Sequence, residues 1–486
     1  MFYKKKSNIL FRKYDSFGYI TDNRNFGYID YHDNVIGDKI LSETGSVFFE
    51  LLGLSAISIK DITDLLNIKY PNIDSSVIKK DVVNFFDILE CDGFVVSGRT
   101  IEECEEKDWS FSYQKHDENS FIHTRTGVIN NVETEDFFEK YFDGKPQLTS
   151  LHIEVTGKCN EKCIHCYIPH DLKLRNIDSD LFYEILDQAK DLNVLHVTLS
   201  GGEPMLHKDF CGFLKKCREY NFSVSVLTNL TLLDDFVFEE MRKNKLLSVQ
   251  VSLYSMQSDI HDGITKMNGS LDKTKKAILK LLENDVPVQI SCPIMKQNKE
   301  HYKDVLNWAK ENLIKVSSDY EIIAEYNNSK DNLKCRLSLS EVKDILNEKI
   351  LEDSDYLYNL SKNIEYKRSA KKDDRICSVC YSSICISESG NVYPCPGWQG
   401  YVIGDIKERT IKDIWENGCE VNYLRNLQKK DSPVCVQCEN RDFCSMCMVR
   451  NSNENSDGNP LIVNRYFCEA AKITKEIFMQ SKINFT

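Results

Sequence analysis

At 486 residues, with 41% hydrophobic and 28% charged residues, the chain has the composition of a soluble globular protein of two or three domains. A net charge of −13 argues against broad binding to a phosphate backbone, so no nucleic-acid partner is expected. No run of roughly 18 apolar residues is present to cross a membrane, and the basic start (MFYKKKSNILFRKYD) lacks the apolar core of a signal peptide, so a cytoplasmic location is expected.

Residues 1–100 have their own pattern. NFGYIDYHDNVI predicts a hairpin, with Tyr28, Asp30 and His32 alternating against apolar neighbours. TGSVFFELLGL predicts an amphipathic helix, and SIKDITDLLNIKY a second one capped by Ser58. A third helix in DSSVIKKDVVNFFDILECDGFVV stops near Gly93 and runs into a strand. Strands, three helices and a closing strand describe a winged helix-turn-helix. Residues 101–147 are polar and at first aperiodic, and read as a linker.

Residues 148–350 alternate between strand and helix patterns. Strands are predicted at LTSLHIEVT, NVLHVTLS, SVSVLTN, LSVQVSLY, VPVQISCPIM and DYEIIAE, with amphipathic helices between or after them. Such alternation demands a parallel sheet with helical crossovers. The fold class is therefore α/β. About 200 residues suit an incomplete (β/α)6 barrel better than an eightfold one, which needs about 250. Residues 351–486 become cysteine-rich and loop-rich after 376, a segment expected to depend on metal or cluster ligation rather than on a large apolar core.

The 19 cysteines set this chain apart. Without a secretory signal a disulfide framework is not expected, and ligation is the better reading. Cys91, Cys104, Cys211, Cys217, Cys292 and Cys335 are scattered and read as small core hydrophobes. Cys159, Cys163 and Cys166 stand instead in a Cys-x3-Cys-x2-Cys loop at the C-terminal end of the first barrel strand, where barrel enzymes place their chemistry. Three thiolates leave one iron of a four-iron cluster open. Zinc is the alternative, with His165 or His170 as fourth ligand.

CNEKCIHCY, with Tyr167 after the third cysteine, resembles the signature of the radical S-adenosylmethionine (SAM) superfamily. The resemblance implies a [4Fe–4S] cluster whose open iron chelates the amino and carboxylate groups of SAM. Reductive cleavage then yields a 5′-deoxyadenosyl radical that abstracts hydrogen from the substrate, with an electron donor such as flavodoxin or ferredoxin. LSGGEP at the end of the second strand is similar to the superfamily's GGE motif, which implies SAM contacts from Gly201, Gly202, Glu203 and Pro204. Asn229 and Ser252, at the ends of strands three and four, match positions that approach the ribose or the substrate; strand-end capping is their other reading.

The cysteine-rich end resembles the SPASM extension of these enzymes. Gly390 and Cys395 match its Gly-x4-Cys element, and Cys435, Cys438 and Cys444 its x2 and x5 spacings, whereas Cys447 follows after two residues where three are usual. By that resemblance Cys377, Cys380, Cys395 and Cys447 would hold one auxiliary [4Fe–4S] cluster and Cys435, Cys438, Cys444 and Cys468 another, three clusters in all. Cys385 falls where an apolar strand residue is usual and reads as a spare or alternative ligand. The first 100 residues resemble PqqD-like domains, which hold the leader of a ribosomally made precursor peptide by strand addition. The function this implies is a peptide maturase forming a thioether or carbon–carbon crosslink. The alternatives are a maturase of a whole protein such as a sulfatase, and a zinc-holding peptide-binding protein.

Overall fold

The computed structural model describes residues 1–23, 38–108, 140–142 and 144–484. The hairpin predicted around Tyr28, Asp30 and His32 lies outside the described residues. In the first domain, strands β1 (Phe2–Lys5), β5 (Ile57–Ser58) and β6 (Val95–Gly98) form one sheet in the order β5-β1-β6. Strands β2 (Ile9–Lys13), β3 (Phe17–Asp22) and β4 (Lys39–Ser42) form a second, antiparallel one. Helices α1 (Glu43–Glu50), α2 (Ile59–Lys69) and α3 (Ser75–Cys91) pack on them around Phe49, Ile62, Val82 and Phe86. Ser58 caps α2 as expected, its hydroxyl accepting from the Asp61 amide at 3.1 Å. Gly93 takes φ 86° just past α3, a conformation in which a Cβ would be strained.

The stretch read as a linker begins with a helix, Ile101–Lys107, that belongs to the first domain. Its Cys104 is buried, and Asp108 just beyond it accepts from the Ser7 amide at 2.8 Å. Charge hid this helix from the sequence pattern, because only one side of two short turns is covered.

Strands β7 (Ser150–Thr156), β8 (His196–Gly201), β9 (Ser223–Thr228), β10 (Ser248–Ser252), β11 (Val288–Ser291) and β12 (Lys315–Ser317) run parallel in sequence order, with helices on the outer face. The sixth strand is not at DYEIIAE but at Lys315–Ser317. Residues 319–325 instead belong to no ladder, and bury Ile322, which packs with Ile164 of the cysteine loop, and Ala324. They are tied there by the Tyr326 amide, which donates to the Tyr167 carbonyl at 3.1 Å.

Beyond the barrel, β13 (Ser383–Ile386) pairs in parallel with β7, and β14 (Asn391–Tyr393) and β15 (Gly404–Asp405) extend the same sheet antiparallel, to nine strands. The cysteine-rich region is therefore not short of a core. Trp398, Ile411, Ile414, Val421 and Ile477 belong to one apolar cluster with barrel residues such as Leu151 and Val226, because the shared sheet places their faces together.

The first domain docks at the N-terminal ends of the barrel strands. The Arg12 guanidinium donates to the Val194 carbonyl (2.8 Å from Nε) and Asn221 brackets β2, accepting from the Phe11 amide at 3.0 Å and donating to the Ile9 carbonyl at 3.1 Å. The cysteine loop lies at the opposite, C-terminal end. Among the described residues no helix is long and apolar enough to cross a membrane.

Candidate active site

Local backbone bonds shape the cysteine loop that leaves β7. The Lys162 amide donates to the Thr265 carbonyl (2.9 Å) and the Ile164 amide to the Ile264 carbonyl (3.0 Å), so the end of helix Ser258–Thr265 fixes the loop from one side. Glu161, buried inside the loop, accepts from the Ser270 hydroxyl and from the Cys163 thiol at 3.5 Å. Cys159, Cys163 and Cys166 remain unbridged and half-buried. Burial pushes the Cys159 thiol up to about 11 and Cys163 well above its usual range, with the neighbouring thiols adding to the rise at Cys163. Three converging thiolates repel one another, and the cationic core of an iron–sulfur cluster would reverse that cost. The all-sulfur donor set on one short loop fits such a cluster. Lys173 lies beside all three sulfurs and hydrogen-bonds Cys166.

The GGEP turn reaches the same place. Gly201 takes φ 133°, and a Cβ there would sit 2.0 Å from the Thr156 carbonyl oxygen. At Gly202 a Cβ would meet the Lys158 oxygen at 2.3 Å. The bare backbones instead bond directly, the Gly202 amide to the Thr156 carbonyl and the Glu203 amide to the Lys158 carbonyl, both at 2.8 Å. These glycines thus let strand end meet cysteine loop, a contact between two backbones that the motif alone did not reveal. Glu203 is fully buried and its carboxylate accepts from the Thr228 hydroxyl (2.8 Å), the Asn229 amide (2.8 Å) and the Met205 amide (3.1 Å). Burial lifts it to about 7 against those bonds. Pro204 is buried and starts a short turn of 3₁₀ helix. Asn229 donates to Asn160 in the cysteine loop at 3.0 Å, and Ser252 hydrogen-bonds Tyr254, whose hydroxyl also reaches Cys163. All six residues therefore gather around the loop.

The C-terminal cysteines fall into two groups. Cys435, Cys438, Cys444 and Cys468 line one cavity of about 290 Å³, rimmed by Lys367, Lys371, Lys429 and Arg441. Four thiols around one space with cations at the rim fit an iron–sulfur cluster, whose thiolate shell is anionic. In the other group, Cys395 lies close enough to Cys447 and Cys377 for both to raise its pKa, on top of the larger effect of burial. Cys380 is fully buried beside Cys377, with Arg425 donating to its carbonyl at 2.8 Å.

A further group escaped the sequence reading. His152 and Glu154 lie on one face of β7, and Cys385 of β13 pairs directly opposite His152. One ligand atom from each of these three lies within 4.8 Å of the others. Gln399 donates to one Glu154 oxygen at 2.6 Å, while Oε1 is buried with no partner among the described residues. Burial, then Glu388, raises Glu154 to about 8, and burial lowers His152 to about 4. Lys173, Glu161 and Tyr254 also escaped it, because none sits in a repeating spacing.

Comparison with known proteins places this geometry. Residues 153–309 match the Radical SAM superfamily, and residues 377–439 match SPASM, an iron–sulfur cluster-binding domain. The chain is 25% identical over 327 residues to the AdoMet-dependent heme synthase of Methanosarcina barkeri, covering 61% of this chain and 90% of that one. It is 24% identical over 302 residues to the PqqA peptide cyclase of Granulibacter bethesdensis, covering 60% and 80%. In fold it is similar to SuiB of Streptococcus suis, solved bound to its precursor peptide SuiA, with a TM-score of 0.59 at 18% identity over 96% of this chain and 99% of that one. An iron–sulfur cluster and SAM are the cofactors these domains use. Residues 153–309 thus form a radical SAM domain and residues 377–439 a SPASM iron–sulfur domain, and the chain is an enzyme of that kind.

Proposed function

We propose that this enzyme modifies a ribosomally made precursor peptide, holding the leader on residues 1–100 and abstracting hydrogen from a core residue to form a thioether or carbon–carbon crosslink. One observation carries the reading: the likeness to peptide-bound SuiB extends over 96% of the chain, first domain included, whereas the heme synthase match covers 61%. Residues 1–100 act as a PqqD-like domain, 148–350 as the radical barrel and 351–486 as the auxiliary domain.

Cys159, Cys163 and Cys166 hold the SAM cluster in this reading. Cys377, Cys380, Cys395 and Cys447 hold one auxiliary cluster, and Cys435, Cys438, Cys444 and Cys468 the other. Bound there, the first cluster supplies the electron for SAM cleavage, drawn from a donor of the flavodoxin or ferredoxin class. The chain's own part is positioning. Gly201 and Gly202 seat the SAM-facing turn against the cysteine loop, Glu203 locks that turn to the third strand, and Asn229 and Ser252 orient the rim.

Co-expression with a precursor peptide encoded beside this gene, followed by mass spectrometry, tests the reading. Loss of two hydrogens is expected; an unmodified peptide alongside active SAM cleavage would refute it.

A further inference from the structure

The seam between β7 and β13 joins the barrel to the auxiliary domain and carries His152, Glu154 and Cys385. We infer that these three residues form a mononuclear binding site for a divalent transition metal of the zinc class, distinct from the iron–sulfur clusters. The donor set is mixed, one imidazole nitrogen, one carboxylate oxygen and one thiol sulfur, which suits zinc and its neighbours and not calcium or magnesium.

Size separates the group from the cluster sets. With bonds of about 2.1 Å to nitrogen and about 2.3 Å to sulfur, two ligands of one ion stand no more than about 4.4 Å apart. The three donor atoms here already lie within 4.8 Å of one another, so side-chain torsions alone can close the shell. Among the described residues no other group of three His, Cys, Asp or Glu side chains is so tight.

Glu154 supplies an independent reason. The residue is 2% exposed, its Oε2 takes the Gln399 amide, and its Oε1 has no partner among the described residues. A buried carboxylate oxygen without a donor is costly, and a cation is what it lacks. Among the described residues the charged group that acts on it is another acid, Glu388. His152 places Nε2 against the Ser200 hydroxyl, the kind of contact that fixes the second nitrogen of a metal-bound imidazole, and in this reading Nδ1 is the ligand. Three protein ligands leave a fourth coordination position for water or for one donor atom of a substrate.

The site forms only when β13 joins β7, because Cys385 lies 233 residues beyond His152 in the chain (385 − 152). An ion there would therefore clamp the two domains at the strand pair nearest the cysteine loop.

The test uses anaerobically reconstituted full-length enzyme, desalted, supplied with zinc chloride and measured for zinc and iron together. One zinc per chain is expected above the iron, with X-ray absorption showing a nitrogen/oxygen shell and a single sulfur. Ser200→Ala should weaken zinc about 10–100-fold by freeing the imidazole, and His152→Ala should abolish it while iron stays at the wild-type level. Cys211→Ser, a half-buried cysteine on the outer helix Phe210–Glu219, should change neither metal. The inference is overturned if wild-type enzyme retains no zinc. It is equally overturned if the bound zinc sees sulfur alone, or if Cys385→Ser costs a whole cluster of iron, since Cys385 would then be a cluster ligand.

Discussion

Replacing Gly202 by alanine puts the backbone contact between the GGEP turn and the cysteine loop under direct test. The added Cβ would stand 2.3 Å from the Lys158 oxygen and 2.6 Å from the Gly157 oxygen, both backbone atoms that cannot swing aside. Restoring an ordinary separation of about 3.4 Å requires the two segments to part by about 1 Å, which overpacking data put at roughly 1–3 kcal/mol. That movement also breaks or stretches the bonds from Gly202 to Thr156 and from Glu203 to Lys158, each 2.8 Å and each contributing about 1 kcal/mol. The combined cost is about 3–5 kcal/mol, and the displaced segment leads straight into Cys159. Urea denaturation of the apoprotein reads the stability term. Iron content and 5′-deoxyadenosine formation after reconstitution read the displacement, and both are expected to fall sharply. Gly263→Ala is the control: it lies inside helix Ser258–Thr265 with nothing within 4 Å of the new Cβ, so it should stabilise by up to about 1 kcal/mol. If Gly202→Ala stays within about 0.5 kcal/mol of wild type and keeps its iron and its SAM cleavage, the close-approach argument is wrong.

Lys5 is buried in β1, and burial, helped by Arg218 and Arg12, lowers its ammonium to about 7 from the ordinary 10.5. The folded state therefore disfavours the proton, and the destabilisation grows as pH falls from 10.5 to about 7, reaching order 4–5 kcal/mol below that. Lys5→Met should stabilise most near pH 6, with the gain more than halved at pH 9 in urea titrations. Asn453 donates to the Ala324 carbonyl (3.1 Å) and the Gly397 carbonyl (2.9 Å), so Asn453→Ala leaves two buried acceptors unmet and should cost about 1–3 kcal/mol by denaturation. Cys435→Ala should lower iron from about twelve to about eight atoms per chain, measured by elemental analysis, if the four-thiol cavity holds one of three clusters. The first domain docks at the far end of the barrel from the cysteine loop, and a six-residue strand such as β8 spans about 20 Å. A leader held there needs at least about six extended residues before the reacting one, so shortening that spacer in the peptide should abolish modification while leaving leader affinity intact.

Local features could be read directly. The Ser58 cap and the Gly93 stop act within a few residues. So does the spacing of Cys159, Cys163 and Cys166, since one loop supplies all three sulfurs. The amphipathic barrel helices were equally plain, because one face is wet and the 3.6-residue period survives. The sixth strand was misplaced because a segment buried without a ladder, as at Ile322 and Ala324, carries the same apolar signature as a buried parallel strand.

By itself the sequence determined the alternation that builds the barrel and the three-cysteine loop, both set by residues close together in the chain. Only the tertiary structure decided that β13 completes the sheet beside β7. That pairing merges the auxiliary domain's core with the barrel's and brings Cys385 beside His152 and Glu154. It also turned Gly201 and Gly202 into a contact between two backbones. Parallel strands distant in sequence pair through backbone groups that every residue shares, so their partnership leaves no mark in the order of side chains.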